Sequence, residues 1–397
     1  MAKQNKPAIR FKGFTDAWEQ RKLGKISEIK TGPFGSTLHA DDYVSEGVPI
    51  ITTEHFKTGS LPQSASGLPQ VSEVDYKRLS AYTLNNGDIV FSRVGSVDIN
   101  ALVTPFQRNW LFSGRVLRVR PGIDVLPQFL HTRLETESIR NDICARAVGQ
   151  TMPSINTEIL KATQLVLPTS MAEQKQIGLY FAKLDHLITL HQRKYDKLQV
   201  LKKAMLEKMF PKNGSSVPEI RFKGFTDAWE QRKAKELCNI GTGKSNTQDQ
   251  VEDGIYPFYI RSDIPVKSNK YLYDCEAVIT IGDGNIGRVF HYVNGKFDLH
   301  QRCYKMTDFQ DIWGKYFYYF FSTRFYDRAM KMTAKATVDS VRLEMISEMD
   351  IWKPTAIDEQ KKIAEFFANL DHLITLHQRE LEKLQNIKKS MLEKMFV

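Results

Sequence analysis

The sequence predicts an α+β protein in which two variable domains lie at opposite ends of a long antiparallel two-helix coiled coil with pseudo-two-fold symmetry. Three observations carry this prediction. The segment IRFKGFTDAWEQRK occurs at Ile9–Lys22 and again, unchanged, at Ile220–Lys233. The segment LDHLITLHQR occurs at Leu184–Arg193 and again at Leu370–Arg379. Between the two kinds of repeat lie long stretches that differ from each other, which is typical of two modules that diverged on one shared frame.

The order of these repeats divides the chain into two halves with the same plan. We call IRFKGFTDAWEQRK the tag and LDHLITLHQR the helix repeat. Residues 1–168 are predicted to contain the first tag and variable domain 1, and residues 169–218 the central helix and a linker. Residues 219–354 are predicted to contain the second tag and variable domain 2, and residues 355–397 the C-terminal helix. A chain of 397 residues is long enough for this division.

The variable domains show a mixed pattern. Both are rich in glycine, β-branched and aromatic residues, and their short apolar runs predict strands at Val48–Thr52, Asp88–Phe91, Gly114–Val119, Ala277–Ile281 and Arg288–Val293. Each domain then becomes helical, at Gln128–Ala147 and at Gly314–Ala334. We expect the apolar run Tyr316–Phe321 to be the buried face of its helix, because soluble proteins seldom expose so large an apolar patch.

Two long helices are predicted at about Glu173–Phe210 and Glu359–Phe396. In each of them apolar residues advance in steps of four and three, which is the pattern of a coiled-coil seam. The end of the chain, Glu393–Phe396, repeats the sequence Glu207–Phe210 in all four positions. We therefore expect the two ends of the chain to lie close together and the two helices to pair in antiparallel fashion.

The composition favours a polyanionic partner. The formal net charge is +10, and a basic excess of this size attracts phosphates, although a merely basic protein remains an alternative. No apolar run is long enough to cross a membrane and no secretion signal precedes the tag, so we expect a cytoplasmic protein without a membrane partner. The four cysteines form no CxxC pair, and we predict no metal site.

Two nucleotide-binding motifs are present only in part. Gly282–Gly287 fits the spacing GxGxxG, but an alternating run follows it where the dinucleotide fingerprint requires a helix, so a hairpin turn is predicted. Gly243–Ser245 resembles the end of a P-loop whose first glycine would have to be Cys238. The Asn/Asp-Pro-Pro-aromatic signature of amino-group DNA methyltransferases does not occur in the sequence. We therefore predict that the chain is not an enzyme.

The polar stretches between the predicted strands carry side chains that suit DNA. Arginine pairs with guanine, asparagine and glutamine pair with adenine, and serine or threonine can pair with several acceptors. Surface loops are polar in most proteins, so each single assignment competes with that simpler interpretation. The candidate DNA-binding residues are Ser36, His39, Arg93, Arg115, Gln150, Lys244, Asn246, Arg261, Arg288, His300 and Gln301.

The paired FKGFTDAWEQRK tags, and the EQKQI and EQKKI stretches that lead into the two helix repeats, resemble the specificity subunit of type I restriction-modification systems. The resemblance implies two target-recognition domains that each read one half of a split double-stranded DNA sequence. It implies two methyltransferase subunits, which bind S-adenosylmethionine, and in the full complex two motor–nuclease subunits, which use ATP and Mg. No cofactor is expected in this chain. A stand-alone sequence-specific DNA-binding protein is the alternative.

The tag has two interpretations. Its aromatic residues would either contact the methyltransferase subunit or anchor each variable domain to the helices. Identity at polar positions such as Lys12 and Asp16, where packing alone would permit change, favours a shared partner. The candidate partner-binding residues are Phe11, Phe14, Trp18, Phe222, Phe225 and Trp229.

Overall fold

The computed structural model describes residues 6–33, 37–212, 215–333 and 340–397. The chain folds into two compact units. Unit 1 contains the residues up to His191 together with Glu380–Val397, and unit 2 contains Gln192–Arg379. Each unit therefore includes one variable domain, the first part of one long helix and the last part of the other long helix.

Unit 1 begins with a strand from the tag and ends its domain where the first long helix starts. Its helices and strands, in chain order, are β1 (Glu19–Lys22), α1 (Leu23–Ile26), β2 (Ser27–Thr31), β3 (Tyr43–Val44), β4 (Val48–Ile51), β5 (Gln70–Val71), α2 (Glu73–Arg78), β6 (Ile89–Ser92), β7 (Asn100–Leu102), β8 (Leu111–Phe112), β9 (Val116–Pro121), α3 (Pro127–Leu134), α4 (Glu137–Ala145), α5 (Thr157–Ala162), β10 (Gln164–Leu167) and α6 (Met171–Lys208). The last part of α6 belongs to unit 2.

Unit 2 repeats the same plan with fewer and longer strands. Its helices and strands are β11 (Glu230–Lys233), α7 (Ala234–Leu237), β12 (Asn239–Thr242), β13 (Tyr256–Tyr259), β14 (Val266–Ser268), β15 (Tyr273–Ile281), β16 (Phe290–Leu299), β17 (Cys303–Thr307), α8 (Gly314–Thr333), α9 (Leu343–Ser347), β18 (Asp350–Lys353) and α10 (Ile357–Met395). The last part of α10 belongs to unit 1.

The sheets of the two domains share one topology. In unit 2 a single sheet has the order β12-β17-β15-β16-β13-β14, with β13 and β16 parallel. In unit 1 the same order is divided between a sheet β2-β9-β6-β7 and a sheet β3-β5-β4-β8, with β4 and β8 parallel. The long β16 thus corresponds to β7 and β8 together. Pro105 separates β7 from β8, because it opens a short 3₁₀ turn and cannot donate to a strand ladder.

These observations confirm the α+β prediction. The turn Gly282–Gly287 joins the antiparallel strands β15 and β16, as the hairpin interpretation required. Within Tyr316–Phe321 all side chains except that of Tyr318 are buried, so this run does form the inner face of α8. The predicted helix Gln128–Ala147 is instead two helices, α3 and α4, which are separated at Thr136.

The tag is an integral part of each domain. Its last four residues form β1 and β11, which pair antiparallel with β10 and β18, the strands that precede the long helices. Its first residue makes a backbone hydrogen bond to the end of a long helix: Ile9 donates to the Lys394 carbonyl at 2.9 Å in unit 1, and Ile220 donates to the Lys208 carbonyl at 3.0 Å in unit 2. The expectation that the two ends of the chain meet is confirmed by the first of these bonds.

An aromatic side chain from each helix end completes each core. In unit 1 the ring of Phe396 contacts Trp18, Phe129 and Phe181, with centroid separations of 6.0, 5.8 and 5.9 Å. In unit 2 the ring of Phe210 takes the corresponding place. Its centroid lies 5.8 Å from that of Tyr316, 5.3 Å from that of Phe320 and 5.8 Å from that of Phe367.

The helix segments inside each unit run in opposite directions. In unit 1, Phe181 of α6 contacts Phe396, and Asp185 one turn later contacts Lys388, at 2.7 Å. In unit 2 the matching ion pair joins Asp371 of α10 to Lys202 of α6, at 2.5 Å. All residues of the two predicted seams are buried or half-buried, namely Ile177, Phe181, Leu184, Ile188, His191, Tyr195, Leu198, Met205 and Met209 in the first and Ile363, Phe367, Leu370, Ile374, His377, Leu381, Leu384, Met391 and Met395 in the second. Among the described residues, no helix has the length and apolarity that a membrane span needs.

Candidate nucleic-acid interface

The ends of four strands meet at one place in unit 2. The Gly243 amide donates to the Cys303 carbonyl at 3.1 Å, the Gln301 amide to the Ser245 carbonyl at 2.8 Å and the Gly282 amide to the Arg302 carbonyl at 2.7 Å. These bonds, together with the contact of Arg261 with Asp283, bring together residues 243–246, 260–264, 282–288 and 300–302, which we call loop cluster 2. A β-carbon on Gly243 would lie 2.2 Å from the Leu299 carbonyl oxygen, so only glycine permits this approach.

Unit 1 assembles an equivalent surface with the same backbone bonds. The Gly32 amide donates to the Val116 carbonyl at 3.1 Å, and the Arg93 amide donates to the Arg115 carbonyl at 2.9 Å. Residues 32–33, 52–55, 93–99 and 113–115 form loop cluster 1. In these bonds Arg115 of unit 1 corresponds to Arg302 of unit 2, and Arg93 of unit 1 corresponds to Gly282 of unit 2.

Loop cluster 2 contains two arginines that share one carboxylate. Asp283 accepts a hydrogen bond from Nη1 of Arg302 at 2.8 Å and from Nη1 of Arg261 at 3.2 Å. Partial burial alone would raise the pKa of Asp283, but the hydrogen bonds and charges of the two guanidinium groups outweigh it and lower that pKa. The group of Arg261, Asp283 and Arg302 therefore keeps a net charge of about +1 at neutral pH, and Arg302, with 60% of its side chain exposed, is the most accessible of the three.

His300 lies beneath this cluster. Its side chain is 4% exposed, and its Nδ1 accepts a hydrogen bond from the Arg302 amide at 3.1 Å. Burial and the neighbouring charges of Arg261 and Arg302 lower the pKa of His300, so the ring is neutral at pH 7. The contact with DNA that the sequence predicted for His300 is therefore corrected: its ring supports the backbone of Arg302 from below.

Loop cluster 1 surrounds a cavity of about 510 Å³ whose lining includes Arg93, Arg115 and Thr52. Nη1 of Arg93 donates to the Gly114 carbonyl at 3.1 Å, which holds this side chain along the cavity wall. Arg115 is exposed. Gln150 is also exposed, in the loop between Val148 and Ser154, which pair with each other.

The remaining candidates are dispersed. Lys244 is exposed in loop cluster 2, beside Gln301. Asn246 caps a 3₁₀ turn with its side chain, and His39 lies in a turn closed by its amide on Asp42 at 2.8 Å. Arg288 lies over the ring of Tyr326 in α8 and donates to its hydroxyl at 2.7 Å, which turns it away from Asp283. Ser36 lies outside the described residues.

The tag side chains divide into buried and accessible ones. Trp18 and Trp229 are 2% and 3% exposed, so neither indole can contact a partner directly, and both have the anchoring role. Phe11 packs edge-on against Tyr180, and Phe222 packs in the same way against Phe366. Phe14 and Phe225 are half-buried. The exposed residues of the tag include the polar side chains of Lys12 and Asp16, with their counterparts Lys223 and Asp227.

Sequence reasoning missed two members of loop cluster 2. Arg302 and Asp283 were not singled out, although Arg302 stands next to the predicted Gln301. An alignment of the two halves would have revealed Arg302, because Arg115 and Arg302 each precede by one residue the strands β9 and β17. Asp283 carries no such signal. Val94 bridges to Ser154 in unit 1 as Asp283 bridges to Ser340 in unit 2, so the counterpart of Asp283 is an apolar residue.

The fold matches a solved structure of known class. The type I restriction-modification S subunit from M. genitalium superposes with a TM-score of 0.71 over 99% of both chains, at 15% sequence identity. At this identity the match shows a common fold. The match covers both units.

The chain belongs to the family described as type I restriction modification DNA specificity domain, whose model matches residues 15–200 and, a second time, residues 226–386. It is similar to the putative type I restriction enzyme MjaX specificity subunit of Methanocaldococcus jannaschii, with 23% identity over 94% of this chain and 92% of that protein. It is also similar to the MjaVIII specificity subunit of the same organism, with 20% identity over 94% and 91% of the two chains. Its role is thus DNA sequence recognition.

Proposed function

We propose that each unit reads one half of a bipartite double-stranded DNA target through its own loop cluster. The observation that carries this proposal is that two clusters on one backbone plan differ in chemistry. Loop cluster 2 has an arginine–carboxylate–arginine group, whereas loop cluster 1 has two arginines beside a cavity. Two different sets of side chains on the same scaffold are suited to two different base sequences.

The two long helices act in this proposal as the spacer between the half-sites. Helices of 38 and 39 residues extend over roughly 57 Å at 1.5 Å per residue. The antiparallel contacts within each unit support one continuous antiparallel coiled coil with a recognition domain at either end. Such a coiled coil sets an upper limit of roughly 17 base pairs on the distance between half-site centres, at 3.4 Å per base pair.

The helix repeats are the proposed docking sites for two methyltransferase subunits. Each repeat exposes two leucines outside the seam, Leu187 and Leu190 in unit 1 and Leu373 and Leu376 in unit 2. Exposed apolar side chains at identical places in two identical segments suit two copies of one partner. The exposed polar residues of the tag would extend the same surface, with the half-buried Phe14 and Phe225 at its edge.

The chemistry in this proposal belongs to the partner subunits. The methyltransferase subunits would bind S-adenosylmethionine, and two motor–nuclease subunits would bind ATP and Mg in the full complex. This chain would supply DNA contacts and positions for its partners, without a catalytic step of its own.

Exchange of one domain tests the proposal. The chain is produced together with its methyltransferase partner in cells without other adenine methylation, and methylated sites are sequenced across the genome. We expect one bipartite motif. Replacement of residues 234–354 by the corresponding domain of a relative should change one half of the motif and leave the other half and the spacer unchanged. A change in both halves, or a motif without a gap, would contradict the proposal.

A second measurement separates a subunit from a stand-alone DNA-binding protein. Binding of the identified target is compared for the purified chain with and without the methyltransferase subunit. The proposal expects discrimination between target and non-target DNA to rise when the partner is present. Equal discrimination by the chain alone, with no complex formed, would support the stand-alone alternative.

A further inference from the structure

Arg302 is held in place by three separate hydrogen bonds. Its amide donates to His300, its carbonyl accepts from Gly282 at 2.7 Å, and its Nη1 donates to Asp283 at 2.8 Å. A β-carbon on Gly282 would lie 2.6 Å from the Arg302 carbonyl oxygen, so the backbone on both sides is fixed. An exposed side chain that is already ordered loses less conformational entropy when it binds a ligand.

The rest of the Arg302 guanidinium is available to a ligand. Among the residues that the structure describes, only Asp283 bonds to this group, through Nη1, which leaves Nε and Nη2 for another acceptor pair. Two parallel N–H groups match the N7 and O6 acceptors of guanine in the major groove.

The carboxylate of Asp283 separates two possible ligands of Arg302. A DNA phosphate placed beside Arg302 would lie close to this negative charge and would be repelled by it. A guanine edge is uncharged, and the cytosine paired with it presents an amino group, which can donate a hydrogen bond to a carboxylate. The arginine–carboxylate pair therefore suits a G·C base pair better than it suits the DNA backbone.

We propose that Arg302 and Asp283 read one G·C base pair in the half-site recognised by unit 2, with Arg302 donating to guanine and Asp283 accepting from cytosine. Arg261 is a positioning residue, which holds the other side of Asp283 and keeps the cluster cationic. This inference rests on the proposed function, since it requires that loop cluster 2 faces DNA.

The equivalent arginine of unit 1 lacks this arrangement. Val94 stands where Asp283 stands in unit 2, so Arg115 has no carboxylate beside it at that position. The two clusters thus differ in the residue that stands beside one shared arginine position.

The experiment compares the wild-type chain with Arg302→Ala, Arg302→Lys and Asp283→Ala, each produced with the methyltransferase partner and assayed by sequencing of methylated sites. Lys235→Ala is the matched control, because Lys235 is an exposed cation of the same unit that pairs with a carboxylate, Glu348 at 2.6 Å, outside loop cluster 2. Thermal melting of each purified variant verifies that unit 2 stays folded. The unit 2 half of the motif is the half that the domain exchange alters.

We expect the wild-type motif to contain a G·C pair in the unit 2 half. Arg302→Ala should reduce discrimination at that pair by roughly 10- to 100-fold. Arg302→Lys should reduce it as well, because an ammonium group cannot make the two parallel bonds. Asp283→Ala should reduce discrimination at the same pair but raise the affinity for all DNA, because it removes a negative charge. Lys235→Ala should leave the motif unchanged.

Three results would overturn the inference. One is a unit 2 half-site without a G·C pair. Another is an unchanged motif with uniformly weaker binding in Arg302→Ala and full recovery in Arg302→Lys, which identifies a phosphate contact. The third is loss of the motif in Lys235→Ala to the same extent. If the wild-type complex instead gave no bipartite motif at all, the proposed function would fail before this inference was reached.

Discussion

Each unit contains one buried ion pair between the tag and the start of a long helix. Arg10 donates to Glu173 through Nε at 2.6 Å and through Nη2 at 2.7 Å, and Arg221 makes the same two bonds to Glu359 at 2.6 and 2.8 Å. Both glutamates are 1% exposed. The pairs fix the first residues of each tag on the helix whose repeat follows.

Loss of the arginine should destabilise a unit because it leaves a buried carboxylate without its partner. We expect Arg10→Ala to lower the free energy of unfolding of unit 1 by about 3 kcal/mol or more. The control is Arg21→Ala, which removes a solvent-exposed pair with Asp124 and should cost under about 1 kcal/mol. Denaturant unfolding of the full chain measures both, and equal costs would show that the burial of Glu173 carries no special weight.

His131 should give unit 1 a pH dependence. Burial lowers the pKa of His131 from its ordinary value of 6.5, and the ring bonds to Asn100 through Nδ1 at 2.8 Å. The unfolded chain then takes up the proton more readily than the folded one, so the stabilisation is present above pH 6.5 and lost as the pH falls.

We therefore expect the midpoint of denaturant unfolding to decrease between pH 7.5 and pH 5.5, and His131→Gln to reduce that decrease. The side chain of glutamine can still bond to Asn100 but does not titrate in this range. His186→Gln, which removes an exposed histidine of α6, is the control. An unchanged pH dependence in His131→Gln would assign it to other groups.

At the scale of elements, the sequence predicted the parts whose pattern is long and regular. The four-three spacing located α6 and α10 to within about two residues at each end. The hairpin at Gly282–Gly287 and the buried face of α8 followed from patterns of six residues or more. In these elements, local periodicity and tertiary packing require the same residues to be apolar.

The sequence could not predict features that depend on pairing between distant strands. β3, β5 and β8 have two residues each, too few for any periodicity, and the parallel contact of β4 with β8 joins segments about 60 residues apart. The contact of Asp283 with Arg261 and Arg302 could not be predicted for the same reason, because these residues belong to three different loops that only the sheet brings together.

The exposed leucines of the helix repeats lead to a prediction about assembly. Leu187→Glu with Leu190→Glu should weaken one methyltransferase site on the order of 30-fold or more, since buried interface side chains dominate binding energy. Native mass spectrometry should then show one bound subunit instead of two. Adding Leu373→Glu and Leu376→Glu should remove both.

A glutamate at Leu179, an equally exposed position of α6 outside the repeat, is the control and should retain both subunits. Because all five leucines lie on the outside of their helices, none of these changes should lower the melting temperature by more than a few degrees. Two bound subunits after replacement of all four repeat leucines would exclude the helix repeats as docking sites.

At the scale of the whole molecule, neither unit is complete within one half of the sequence. Unit 1 requires Phe396 and Lys388 from the last helix, and unit 2 requires Phe210 and Lys202 from the first. The last residues of α10 therefore complete the core of unit 1, and the last residues of α6 complete the core of unit 2 in the same way. This cyclic exchange explains why the tag and the helix ends are repeated with so little change while the strands between them diverge.

The proposed spacer role can be tested by lengthening both helices where they pass from one unit to the other. Seven residues are inserted after His191 and seven after Arg379, so that the seam keeps its register. The insertions lengthen each helix by roughly 10.5 Å, which corresponds to at most about three base pairs.

We expect the gap in the methylated motif to grow by one to about three base pairs, because an inclined coiled coil transfers only part of its added length. Both half-sequences should stay the same, since neither loop cluster is altered. The control is the same insertion directly after Ser215, an exposed residue of the loop that follows α6, where the gap should not change. A motif whose gap is unchanged after insertion in both helices would show that the helices do not set the spacing.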